Sequence, residues 1–460
     1  MGNKVYAKII RSGFPALRHR NFRLFWFGQC VSVIGTWRQN IGQAWLVLEM
    51  TNSALKLSIV TTVQFLPVTL FSLWAGPVAD RFPKRRILIY TQSAFAVLAT
   101  VLATLTWTGT VRYWHVLILA TLLGLVNTLD VPTRQSFFIE LVGKEDLPNA
   151  IALNSTVFNL GRILGPAVAG FLIGLIGIAP CFYLNAISFL AIVANLMMIN
   201  LPAREITQPK FGMFKTVLID AREGLKYIGK IKRIREPLIL LAFISTFVMN
   251  FNIVVPVFAQ QELNQNAAGY GLMMTSMGIG SFLASLTLVA RCRQIPKQRY
   301  LIGAAFLTSS FLILLALGKN YNIACLTMLF IGFNSVAFTT LSNTTVQLHS
   351  SDEMRGRVMS VYMLVFGGMI PIGSLFTGQV TELMGIRWCM IISGAIGVMA
   401  VAWAIFVMRG KQAGGHRSEE QRAGEHGALE PSTGERSTGE QCAGEQNTGE
   451  HGAGGHCIDE

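Results

Sequence analysis

Gly76-Pro77-Val78-Ala79-Asp80-Arg81-Phe82-Pro83-Lys84-Arg85-Arg86 joins two long apolar runs, residues 57–79 and 87–108. Each run is close to the roughly twenty residues that cross a bilayer core as a helix. Between them Gly76 lets two helices approach closely, and Asp80 stands at a helix end where it can pair with a cation across an interface. Arg81, Lys84, Arg85 and Arg86 hold the loop at a membrane face that retains positive charge.

Working outward, further spans are expected at 22–48, 114–131, 150–175, 182–201, 237–260, 269–290, 300–318, 322–343, 358–381 and 388–408. With the first two runs they make an all-α membrane protein of twelve transmembrane helices. Basic residues collect in alternate loops: the arm 1–21, the loop at 80–86, segment 202–236, residues 291–299, and Arg355 with Arg357. The other loops carry one basic residue at most, so both termini are expected in the cytoplasm.

Composition agrees. The chain has 460 residues, 52% hydrophobic and only 13% charged, against about 25% charged in soluble domains. The net charge of +14 is spread between hydrophobic spans rather than along one polar face, which excludes a nucleic-acid reading. The first twenty residues lack an apolar core and a small-residue cleavage site, so they do not form a signal peptide. Seven cysteines show no ligand spacing and read as small hydrophobes. No metal, cofactor or nucleotide loop is indicated, and no catalytic constellation, so the chain is not read as an enzyme.

A shift of 208 residues places Gly124 on Gly332, Glu145 on Glu353, Gly165 on Gly373, Gly170 on Gly378, Gly177 on Gly385 and Cys181 on Cys389. Matching glycines at matching depth imply the same helix packing built twice, with a site between two halves. The expected organisation is an arm 1–21, a six-helix bundle 22–201, an amphipathic cytoplasmic linker 202–236, a second bundle 237–409 and a tail 410–460. The tail is dominated by Gly, Glu, Gln, Ser and Thr in a five-residue period, and disorder is expected of it. Its His and Cys residues follow the period rather than any ligand geometry.

The opening stretch resembles the signature loop of the major facilitator superfamily: Gly, three residues, Asp-Arg, then a basic cluster. The carry-over falls on Gly76, Asp80, Arg81, Lys84, Arg85 and Arg86, with Pro83 where the family often has Gly. Gly161-Arg162-Ile163-Leu164-Gly165-Pro166-Ala167-Val168-Ala169-Gly170 resembles the antiporter motif of the exporting branch, with Ala169 replacing one Gly. Further stretches resemble the branch of macrolide efflux pumps and the enterobactin-type siderophore exporter: Asn21 to Trp26, Gly35-Thr36-Trp37, Asp130 to Gln135, and Arg355 to Ser360. The resemblance implies two pseudo-symmetric six-helix bundles, alternating access, and export of a drug or siderophore-like solute in exchange for protons, by a monomer. Import or facilitated movement of a small organic solute is the alternative.

One position departs from the proton-driven drug antiporters, where an Arg is common four residues before the Gly matching Gly124; here it is Ala120. Asp130 is the candidate coupling carboxylate, with a structural ion pair to Arg134 or Arg81 as the competing reading. Arg38 and Arg162 fall within spans, where a bare charge costs about 2.5–3.5 kcal/mol or more. Arg38 is expected to share one polar stripe with Gln29, Asn40 and Gln43. Asn127, Asn250 and Asn252 add polar groups to the candidate pathway, whose positive potential favours an anionic solute.

Overall fold

The computed structural model describes residues 14–79, 81–200, 213–291 and 298–427. Six helices form the first half: α1 (Arg20–Thr51), α2 (Ala54–Ala79), α3 (Lys84–Trp107), α4 (Tyr113–Val142), α5 (Leu147–Ile176) and α6 (Ala179–Met198). A connecting helix α7 (Met213–Lys230) follows. The second half contains α8 (Lys232–Phe243), a π-helical turn (Ile244–Val248) and α9 (Phe251–Gln261), which share one span. Then come α10 (Ala267–Arg291), α11 (Gln298–Leu317), α12 (Tyr321–Leu348), the broken pair α13 (Asp352–Gly368) and α14 (Ile370–Met384), and α15 (Ile386–Gly427). The chain up to Phe406 forms one compact unit, and Val407 onward a second.

Among the described residues eleven spans are long and apolar enough to cross a membrane; α1 is not one of them. With 32 residues it has the length, but Gln29, Arg38, Gln39 and Gln43 lower its hydropathy. It packs inside the first half against α5 and α6.

Helix α4 runs eleven residues beyond its expected end at 131, straight through Pro132. A proline inside a helix removes one backbone hydrogen bond, and the segment beyond it is anchored by burial instead. Phe137 and Phe138 pack edge-on against Phe25, and Phe138 against Phe22, at ring separations of 5.5–6.2 Å. The span expected over 358–381 is broken at Met369, after Gly367-Gly368 and before Pro371. Helix α15 continues past the expected bundle end at 409, while tail residues 428–460 lie outside the described residues.

The repeat is visible in three dimensions. A Cβ on Gly124 would overlap the Gln64 carbonyl oxygen of α2, and one on Gly332 would overlap that of Met277 on α10. Gly165 sits against α1, and Gly373 against the π-helical turn at Thr246. Gly170 meets α10 across the halves, and Gly378 meets Ser58 of α2 across them. Gly177 and Gly385 adopt φ of 85° and 84°, a left-handed conformation that glycine tolerates best.

The connecting helix packs on the start of α13. Arg357 pairs with Glu223 at 2.7 Å, and Ser351 N donates to the Tyr227 hydroxyl at 3.1 Å. Hydrogen bonding to Ser351 holds the Tyr227 phenol below its ordinary pKa.

Candidate functional site: the interface between the halves

Helix α1 sorts its polar residues onto different sides. At about 100° per residue, Gln29, Asn40 and Gln43 fall within about 60° of one another, whereas Arg38 lies about 180° from Gln29. The expected common stripe therefore excludes Arg38. That residue is buried beside the Cys181 thiol of α6, and its Nε has no hydrogen-bond partner among the described residues. Next to it Asn185 of α6 donates to Gln39 at 2.5 Å. On the polar stripe, Gln43 donates to Gln64 of α2 at 2.9 Å, and Asn40 is exposed. Gln29 is buried with neither amide atom partnered among the described residues.

Arg162 is the charge brought to the meeting of the halves. The motif on α5 splits into two faces, each made by a four-residue step. Gly161 and Gly165 turn toward Val33 and Trp37 of α1, where a Cβ would collide. Pro166 and Gly170 turn toward α10 of the other half, against Gly271. Arg162 lies between these faces, away from exposed Leu160, Leu164, Phe171 and Leu175 on the opposite side. Its guanidinium carbon is 5.5 Å from the Trp37 ring centroid, and its carbonyl presses on Gly278 of α10. A cation–π contact contributes about 0.5–2 kcal/mol, which offsets part of the charge's desolvation. Among the described residues no carboxylate pairs with Arg162.

Opposite, the π-helical turn interrupts its span beside Gly373 of α14. Asn250 is buried there and donates to the Thr246 carbonyl at 2.6 Å, one helical turn back. Asn252 is exposed and Asn127 is half-buried on α4. Inserted turns of this kind often sit where a helix must flex or bind.

Asp130 is not brought to this interface. It is 0% exposed, ion-paired with Arg134, and accepts from Thr91 at 2.7 Å and Gln92 at 2.8 Å. This network joins α3 to α4. The signature loop is likewise built into its own half. Lys84 pairs with Glu140 at 3.0 Å, and Arg85 donates to the Leu196 and Met197 carbonyls at 2.7 and 2.9 Å. Those last carbonyls of α6 need donors, and a cation there complements the helix dipole. Arg81 has a buried Nε without a hydrogen-bond partner among the described residues, and Arg86 is exposed. Asp80 lies outside the described residues, and Gly76 is described only as part of the α2 backbone.

The halves also meet along α2 and α14. Glu382 accepts from Ser53 Oγ at 3.1 Å and from the Leu55 amide at 3.5 Å, so a carboxylate of one half caps a helix start of the other. Thr62 Oγ donates to the Pro371 carbonyl at 3.3 Å, and Trp45 stacks on Tyr270 at 6.1 Å. These contacts lie between mid-helix and the end opposite the basic loops. Trp37, Gln64, Gly278 and Glu382 were not singled out as site residues from sequence. Gly271 and Gly278, seven residues apart on one helical face, are the signal that could have found the α5–α10 crossing.

Two sets of helices packed by repeated glycines around a polar interface define a multi-pass membrane transporter of the major facilitator fold. The chain matches the family described as transmembrane secretion effector over residues 11–426, and it belongs to that family. It is 28% identical to the staphyloferrin A transporter of Staphylococcus aureus, over 79% of this chain and 90% of that protein. It is 23% identical to the multidrug efflux pump Tap of Mycolicibacterium fortuitum, over 75% of this chain and 85% of that one. With macrolide efflux protein A of Streptococcus pyogenes the identity is 21%, over 82% and 93%. Among solved structures, a bacterial homolog of the human lysosomal transporter Spinster, inward-facing and occupied, aligns with TM-score 0.68 and 12% identity, over 84% and 96%. The nucleoside transporter NupG aligns with TM-score 0.66 and 13% identity, over 85% and 99%. Family and relatives are transporters rather than enzymes, and a small molecule is their kind of substrate.

Proposed function

We propose that this chain exports a small molecule, drug or siderophore-like and anionic, across the bacterial inner membrane by alternating access with proton antiport. In this reading it acts as a monomer with both termini in the cytoplasm. The observation that carries the anionic preference is the Arg162 guanidinium, held against Trp37 between the halves without a carboxylate partner among the described residues. A relative named for staphyloferrin A, and others named as efflux pumps, support the direction and the class of solute.

With the basic loops facing the cytoplasm, the end where the halves meet is the outer end. The arrangement then corresponds to the state from which an exporter loads its solute. Asp130 is the proposed coupling carboxylate: a proton taken up there would release Arg134, so loading the counter-ion would break a buried pair.

Everted vesicles supplied with labelled anionic siderophores and cationic drugs, with and without a proton gradient, test the reading. Gradient-dependent accumulation of an anionic member, lost in Arg162→Gln, is expected. Accumulation without gradient dependence would overturn antiport. Asp130→Asn is expected to keep any residual transport while losing its gradient dependence; retained dependence removes Asp130 from the coupling role.

A further inference from the structure

A cavity of about 550 Å³ opens at the end of the bundle opposite the basic loops. Its walls come from both halves: Trp45, Glu49, Thr106 and Trp107 from the first, Asn266 and Ala268 from the second. Among the described residues no Lys, Arg or His lines it. Glu49 is exposed and has neither an ion pair nor a hydrogen bond among the described residues. Trp107 is 68% exposed, while Trp45 is held in place by stacking on Tyr270.

We propose that this cavity binds an organic cation, an ammonium head with a small apolar body. A free carboxylate beside two indole rings attracts such a head through charge and through the negative faces of the rings. Thr106 and Asn266 add acceptors for any N–H that the head carries. The sign of the lining is opposite to that at Arg162, so an anion taken up there is repelled here. Because the walls come from both halves, an occupant bridges them. Two sources supply this chemistry: a free organic cation, or the ethanolamine headgroup of a neighbouring phospholipid.

The full chain in phosphatidylglycerol nanodiscs is titrated with benzyltrimethylammonium by calorimetry. Saturable binding is expected, weakened about tenfold by Glu49→Gln and about fivefold by Trp107→Leu. Both side chains are exposed, so the variants keep the fold, which the thermal unfolding midpoint checks. Arg162→Gln is expected to bind the probe as the parent does, so failure of the anion-export reading leaves this test intact. In discs containing phosphatidylethanolamine, weaker probe binding together with lipid retained in native mass spectra assigns the headgroup as occupant. Unchanged probe binding there assigns a free cation. Absence of saturable binding in phosphatidylglycerol discs, or parental affinity in both Glu49→Gln and Trp107→Leu, overturns the proposal.

Discussion

Gly165 in the first half and Gly373 in the second occupy equivalent places in the 208-residue repeat, each against the first span of its own half. The residues around them diverge. Arg162 corresponds to Ile370, Arg38 to Thr246, and the Asp130–Arg134 pair to Phe338 and Ser342. Backbone departs as well: α1 is continuous where its counterpart is split by the π-helical turn, and α5 is continuous where its counterpart breaks at Met369. Packing has been kept while, among the described residues, buried charges (Arg38, Lys84, Asp130) fall in one half and helix breaks in the other. A repeated glycine preserves an approach distance, which both halves need. A buried charge is costly wherever it stands and is not duplicated with the packing.

The largest effect is expected where the halves agree. Gly124→Leu and Gly332→Leu each drive a side chain into a backbone carbonyl of the neighbouring helix. Overpacking of this kind costs about 1–3 kcal/mol when relief is possible and more when backbone blocks it. Both variants should lose the monodisperse peak in size-exclusion chromatography. Sensitivity of only one would break the equivalence. Next comes the one-sided pair: Asp130→Asn should destabilise by about 2 kcal/mol with the protein still folded, because half-buried Arg134 loses its charged partner. Phe338→Leu, at the matching place, should lower the thermal midpoint far less. Third, Arg162→Gln should cut transport about tenfold with the fold intact, and Ile370→Gln about twofold at most. Equal losses would mean that charge at the interface is not what distinguishes the halves.

The smallest effect concerns the two seams. Glu382 caps α2 across one seam, while its counterpart across the other is Gly174. Glu382→Ala should open the first seam alone, raising thiol labelling of a Ser58→Cys reporter about threefold, in line with loss of one cap. Unchanged labelling would show that glycine packing by itself holds this end shut.

Much of the fold was legible in the chain. Hydropathy reports each span without reference to neighbours, because a bilayer demands about twenty apolar residues from every helix. In the first span Gly28, Gly35 and Gly42 repeat every seven positions and all three face α6, a packing signal that only the structure brought out. Less was legible where a local signal had to be weighed against packing. The α4 span is expected to end at 131, and the helix runs on through Pro132 because Phe137 and Phe138 are buried against α1. The span expected over 358–381 is broken at Met369, between Gly367-Gly368 and Pro371.

The site divides in the same way. The sequence by itself determined the helical spans, the charge asymmetry of the loops and the repeat, since each follows from local hydropathy, helical period or residue spacing. Only the tertiary structure decided that Arg162 rather than Arg38 reaches the interface, that Asp130 is already paired, and that Glu382 bridges the halves. Those assignments depend on which helix lies beside which. A charge's role is set by the partner that packing delivers, and no spacing along the chain encodes that partner.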